Sequence, residues 1–139
     1  MSIPVWVLLG FAGWTLLILF ATVGIYRWSR ILTGRASVRE WRADEEQGSD
    51  WYRRAMRAHM NCIENLPVYA AIVVAIMASG VSGPWLDGLA IALLALRVVH
   101  SLWHIALSQT EVVASIRFAL YFAQIGILFA MGILVAVSA

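Results

Sequence analysis

The sequence predicts an all-α integral membrane protein, a bundle of four membrane-spanning helices. Three observations carry this. The 139 residues are 62% hydrophobic and only 13% charged, too little charge to cover the surface of a soluble domain. The apolar residues fall into four stretches, each long enough to cross a hydrocarbon core about 30 Å thick. Polar or glycine-containing breaks separate them, at 27–50, 80–84 and 108–110. No internal repeat or low-complexity tract divides the chain, so residues 1–139 are expected to form one domain.

The first helix is expected over 3–26. Pro4 is tolerable in a first turn, where its missing N–H would have had no partner. Trp6 and the Tyr26/Trp28 pair lie near the two ends, where aromatic rings prefer the membrane interface. The stretch has no basic n-region and no small-residue cleavage pattern, so it reads as a retained helix and not a signal peptide. Residues 27–57 follow with eight of the ten basic residues, all arginine, and five acids. That clustering is a poor fit to a nucleic-acid surface and a good fit to a loop held in the cytoplasm. Within it Ala43–Asp50, ADEEQGSD, is too polar for the bilayer. Ser49 or Asp50 is placed to cap a second helix over 51–79, whose first turns should stand in the headgroup region or beyond it. Pro67 either bends this helix or is absorbed by its neighbours. The uncharged GVSGP turn, 80–84, suits the translocated side. A third helix is expected over 85–107 and a fourth over 111–137, with Thr110 as its cap. Four spans put both termini on the side opposite the 27–50 loop. The single cysteine, Cys62, excludes an intrachain disulfide and a cysteine metal cluster.

Polar residues inside such spans are expensive and mark candidate sites. The run Arg53–Pro67, RRAMRAHMNCIENLP, carries Arg53, Arg54, Arg57, His59, Asn61, Glu64 and Asn65 at the mouth of the second span. Arg57, Asn61, Glu64 and Val68 recur at helical spacing and form one stripe. Arg97, His100, Ser101 and His104 share a face of the third helix, and Arg117, Tyr121 and Gln124 repeat the pattern on the fourth. The three sets can meet in the cytoplasmic half of the membrane. Pairing of Arg57 or Arg97 with Glu64 would be one structural use of this set. Three arginines against one glutamate favour instead an anionic ligand. His100 and His104 have no carboxylate ligand beside them, and no metal site is expected. Cys62 reads as a small packing residue.

These residues resemble the MAPEG family, the membrane-associated proteins in eicosanoid and glutathione metabolism. The strongest match is Arg57–Ala58–His59–x–Asn61–x–x–Glu64–Asn65, followed by Pro67; Arg97–x–x–His100–Ser101 and Ile116–Arg117 add to it. The resemblance spans essentially the whole chain. It implies a homotrimer with glutathione as cosubstrate, bound between adjacent protomers, in a bacterial member similar to the microsomal glutathione transferases and set in the inner membrane. Arg57, His59, Asn61, Glu64 and Arg97 fall at glutathione-site positions, with Arg53, Arg54, Asn65, His100, His104 and Tyr121 as further binding candidates. Arg97 and Arg117 are the catalytic candidates. The expected activity is glutathione conjugation, or glutathione-dependent peroxide reduction, of small lipophilic electrophiles entering from the membrane lipids, with no nucleic acid involved. Three departures, Cys62, His104 and Phe118, argue against a specialised eicosanoid synthase. They leave open a catalytically weak or inactive structural member.

Overall fold

In a computed structural model, which describes residues 1–41 and 48–139, four helices are long and apolar enough to span a membrane. They are α1 (Ile3–Leu32), α2 (Asp50–Ser79), α3 (Pro84–Ala106) and α4 (Glu111–Ser138). The protein is an integral membrane four-helix bundle. Part of the expected polar loop, 43–47, lies outside the described residues, as does Arg42.

The first helix is longer than the sequence suggested, running to Leu32 and not to Tyr26. Its extension Ile25–Leu32 is strongly two-sided: Ile25, Trp28 and Leu32 are exposed, while Arg27 and Tyr26 turn towards α2. The polar side has partners, so the chain stays helical through two arginines. A π-helical turn at Leu19–Gly24 sets this rotation. Thr22 Oγ1 donates to the Ile18 carbonyl at 2.6 Å, and the Ile25 N–H reaches back to the Phe20 carbonyl. A side-chain hydroxyl inserted in the ladder is a recognised origin of such a bulge.

The remaining helix ends follow local chemistry. Ser49 Oγ accepts the Tyr52 N–H at 3.3 Å and caps α2. Gly80, at φ 71°, closes α2 by returning its N–H to the Ile76 carbonyl at 3.0 Å, a left-handed cap suited to glycine. Thr110 Oγ1 accepts the Val113 N–H at 3.2 Å and caps α4. Pro67 sits inside α2 without ending it. At the loop end, Trp103 Nε1 donates to the Val113 carbonyl at 3.2 Å and ties α3 to α4.

The core combines stacked rings with small residues. Phe11 of α1 stacks on Tyr69 of α2, and Tyr69 Oη donates to the Pro4 carbonyl at 2.9 Å. Ala55, Ala58 and Ala90 are fully buried, letting backbones approach, as small residues do between membrane helices. Large side chains such as Phe20, Phe122 and Phe129 point outward, the arrangement expected towards lipid.

At the loop end an aromatic clasp fixes α1 to α2. Tyr26 stacks on Tyr52 with centroids 4.4 Å apart, and Trp41 sets its edge against Tyr26. Arg27 Nε donates to Tyr52 Oη at 2.6 Å, and its guanidinium lies over the Trp41 ring. The Ser49 N–H donates to Tyr26 Oη at 3.1 Å. Gly48 is required beside this stack: at φ 117° a Cβ there would stand 2.7 Å from Tyr52 Cδ1. Gly48→Ala is therefore expected to cost about 1–3 kcal/mol in local strain. Faster proteolytic cleavage between Thr33 and Ser49, with the four spans intact, is the expected result; unchanged cleavage would show that the clasp tolerates a side chain.

Candidate functional site

The bundle brings the loop-end halves of α2, α3 and α4 around an open cavity of about 460 Å³, within the range of small-molecule sites. From α2 come Arg57, Met60, Asn61 and Glu64, one helical stripe at spacings of three and four. From α3 come His100 and His104, one turn apart. From α4 come Arg117, Phe118 and Tyr121. The three polar stripes thus meet on one wall set. Met60 was absent from the sequence-based candidates, although its place three residues beyond Arg57 puts it on the same stripe.

Among the described residues the wall carries more positive than negative charge. Two guanidiniums, Arg57 and Arg117, face one carboxylate, and among the described residues Glu64 makes no ion pair. Arg117 Nη1 donates to Gln109 Oε1 at 3.2 Å, and its guanidinium lies over the Phe118 ring. Those contacts hold the arginine at the rim while leaving donors to spare. The His100 and His104 rings stand 6.2 Å apart, with Tyr121 6.1 Å from His100.

Other sequence-based candidates sit elsewhere. Arg53 is exposed and does not line the cavity. Arg54 pairs with Asp50 and donates from Nε to the Ile105 carbonyl at 3.2 Å, tying α2 to the end of α3. His59 is buried away from the cavity. Asn65 is buried and lines a second, apolar groove of about 460 Å³ between α2 and α4, walled by Val68, Leu128, Phe129, Gly132 and Ile133.

Arg97 lies one layer behind the cavity. It is completely buried and does not line the wall. Its guanidinium lies 5.6 Å from the Phe11 ring centroid, and Nη1 reaches His100 Nδ1 at 3.3 Å. Around it Ser101 Oγ donates to the Arg97 carbonyl at 2.8 Å, receives the Trp14 indole N–H at 3.2 Å, and lies 3.6 Å from Cys62 Sγ. Arg97 Nε and Nη2, His100 Nε2, His104 Nδ1, Asn65 Nδ2 and Gln124 Oε1 are buried without a hydrogen-bond partner among the described residues. Buried polar atoms are rarely left so. Three of these residues, Arg97, His100 and His104, follow one another on α3 at spacings of three and four.

The sequence pattern of the MAPEG family matches residues 4–137, and the chain belongs to that family. No curated protein and no solved structure matches the chain. Family membership and fold are consistent with the family's glutathione-conjugating and peroxide-reducing activities, and with its oligomeric assembly in contact with lipid.

Proposed function

We propose that the protein is a membrane glutathione transferase, or glutathione-dependent peroxidase, acting on small lipophilic electrophiles. The observation that carries this reading is the cavity wall, which brings two arginines, a glutamate with no ion pair among the described residues, and His100 around one space between three helices. Glutathione has two carboxylates, one ammonium and a thiol. The forks of Arg57 and Arg117 suit carboxylates, and Glu64 suits the ammonium. Asn61 and Tyr121 add neutral hydrogen-bonding groups between them.

Bound glutathione would supply the nucleophilic sulfur. The chain's part is to orient it and to stabilise negative charge. Arg117 and His100 face the cavity and can meet charge on the sulfur or on the acceptor as it develops. The apolar α2–α4 groove gives a lipophilic acceptor a route from the bilayer. Arg97 acts from behind the wall. His104 shares the wall with His100, and Arg54 supports the site by tying α2 to the end of α3; Arg53, His59 and Asn65 stand off the cavity.

The assembly we propose is a homotrimer in a bacterial inner membrane, with the loop cytoplasmic, both termini opposite, and each site completed by the adjacent protomer. The open α2–α4 flank supports this, since it leaves both the cavity and the groove uncovered in one protomer. Purified protein is expected to conjugate glutathione to a lipophilic aryl halide, releasing halide in step with thioether. Arg57→Ala should raise the KM for glutathione about tenfold or more, the loss of one charge-assisted contact, while kcat changes less. No thioether above the uncatalysed rate would refute the transferase reading, and the same assay with an organic hydroperoxide tests the peroxidase reading.

A further inference from the structure

The buried contact between Arg97 and His100 dictates which nitrogen of His100 carries its proton. A guanidinium has donors and no acceptor. For Arg97 Nη1 to bond His100 Nδ1 at 3.3 Å, Nδ1 must offer its lone pair. The ring is then neutral, and its proton sits on Nε2. An imidazolium there would place two cations in contact, in a region where Arg97 already lacks a carboxylate partner among the described residues.

In the Ser-His-Asp arrangement a carboxylate accepts from Nδ1, which leaves Nε2 as a base. Arg97 inverts that polarity: a cation donates to Nδ1, which leaves Nε2–H as a donor. The donor belongs to a ring that lines the cavity, and Nε2 is buried with no hydrogen-bond partner among the described residues. The ring is held on its other side too. Arg97 is clamped over Phe11, and Tyr121 flanks His100. Arg57, His104 and Arg117 on the cavity wall bring no negative charge to the ring, and Glu64, the carboxylate on that wall, makes no hydrogen bond to it among the described residues.

We propose that Arg97 is a positioning residue that locks His100 in the neutral Nε2–H form, and that His100 is the hydrogen-bond donor to the anionic atom of the ligand in the cavity. Where that ligand is glutathione the atom is the thiolate sulfur, and this part rests on the functional reading above. The positive charge of Arg97 strengthens the donor through the ring without touching the ligand. It follows that His100 is not the base that deprotonates the thiol, because its free lone pair faces Arg97.

The test is the tautomer of His100 in ligand-free protein. Histidine labelled with nitrogen-15, in lipid nanodiscs, distinguishes protonated from bare ring nitrogens by long-range nitrogen–proton correlations, with His100→Gln identifying the signal. The expected result is a single form with Nε2 protonated and Nδ1 bare. A proton on Nδ1, or the averaged signal of an unconstrained ring, overturns the proposal. Arg97→Met should release the ring to a mixture while Arg97→Lys, which keeps a donor, retains the Nε2–H form. A pure Nε2–H form in Arg97→Met would show that Arg97 does not set it. Adding glutathione should move the Nε2 proton signal; saturable binding that leaves that signal unmoved overturns the donor role. In turnover, His100→Gln, which keeps an amide donor, should stay within about tenfold of wild type. His100→Phe should lose about 10²-fold or more in kcat, and equal losses in the two variants would contradict a donor role. Failure of glutathione to bind refutes the functional reading, whereas the ligand-free tautomer alone decides the Arg97–His100 pairing.

Discussion

Phe11→Ala is expected to destabilise the bundle by about 3 kcal/mol, the lower end of the range for burying and then truncating a phenylalanine. The ring is fully buried, stacks on Tyr69 and lies under the Arg97 guanidinium. Truncation leaves a cavity, unseats the Tyr69 ring, and removes an aromatic face beneath a buried cation. The lower end applies because the unfolded reference in a membrane keeps its apolar side chains in lipid, so loss of packing, and not transfer from water, carries the cost. Phe11→Leu should recover more than half of it. Reversible unfolding in mixed micelles containing dodecyl sulfate measures the shift. An unchanged midpoint for the alanine variant would mean that α1 is held by contacts other than this stack.

Arg117→Ala is expected to lower glutathione-dependent kcat by about 10²–10³-fold, the usual effect of removing one preorganised group from developing charge. Arg117 is the fourth-helix arginine on the cavity wall, steadied by Gln109 at 3.2 Å and by the Phe118 ring. Its loss leaves the α2 stripe intact, so the KM for glutathione should change by less than kcat. Arg117→Lys keeps the charge without the planar fork and should recover only part of the rate. Single-turnover kinetics separate chemistry from binding. A KM effect with kcat preserved would make Arg117 a ground-state contact and remove it from the chemistry.

The sequence made the four spans legible because each is a predominantly apolar run of membrane length, and made the α2 stripe legible because spacings of three and four residues put Arg57, Asn61 and Glu64 on one face. It was less informative about α3. The spacing groups Arg97, His100, Ser101 and His104 together, and all four are buried. It does not say which of them meets a cavity and which turns inward. His100 and His104 reach the wall, whereas Arg97 packs behind it against Phe11, a residue of another helix and far away in the chain. The extension of α1 past Tyr26 was hidden for a similar reason. Arg27 and Arg30 look like loop residues until Tyr52, Trp41 and Tyr26 supply ring faces for their guanidiniums. The Arg97–Phe11 contact and those of Arg27 with Trp41 and Tyr52 join segments far apart in the chain, which no local pattern encodes.

These contacts give the arginine-rich mouth of α2 two separate roles. Arg54 fastens the helix to the end of α3 through the Ile105 carbonyl, and Arg57 turns into the cavity beside Asn61 and Glu64. The central claim is that this cavity takes glutathione, and titration calorimetry of purified protein with glutathione tests it most directly. The account predicts saturable binding, one glutathione per protomer at saturation, weakened by Arg57→Ala and by Glu64→Gln. No heat of binding at millimolar glutathione, confirmed by an unperturbed His100 signal under the same conditions, would contradict it.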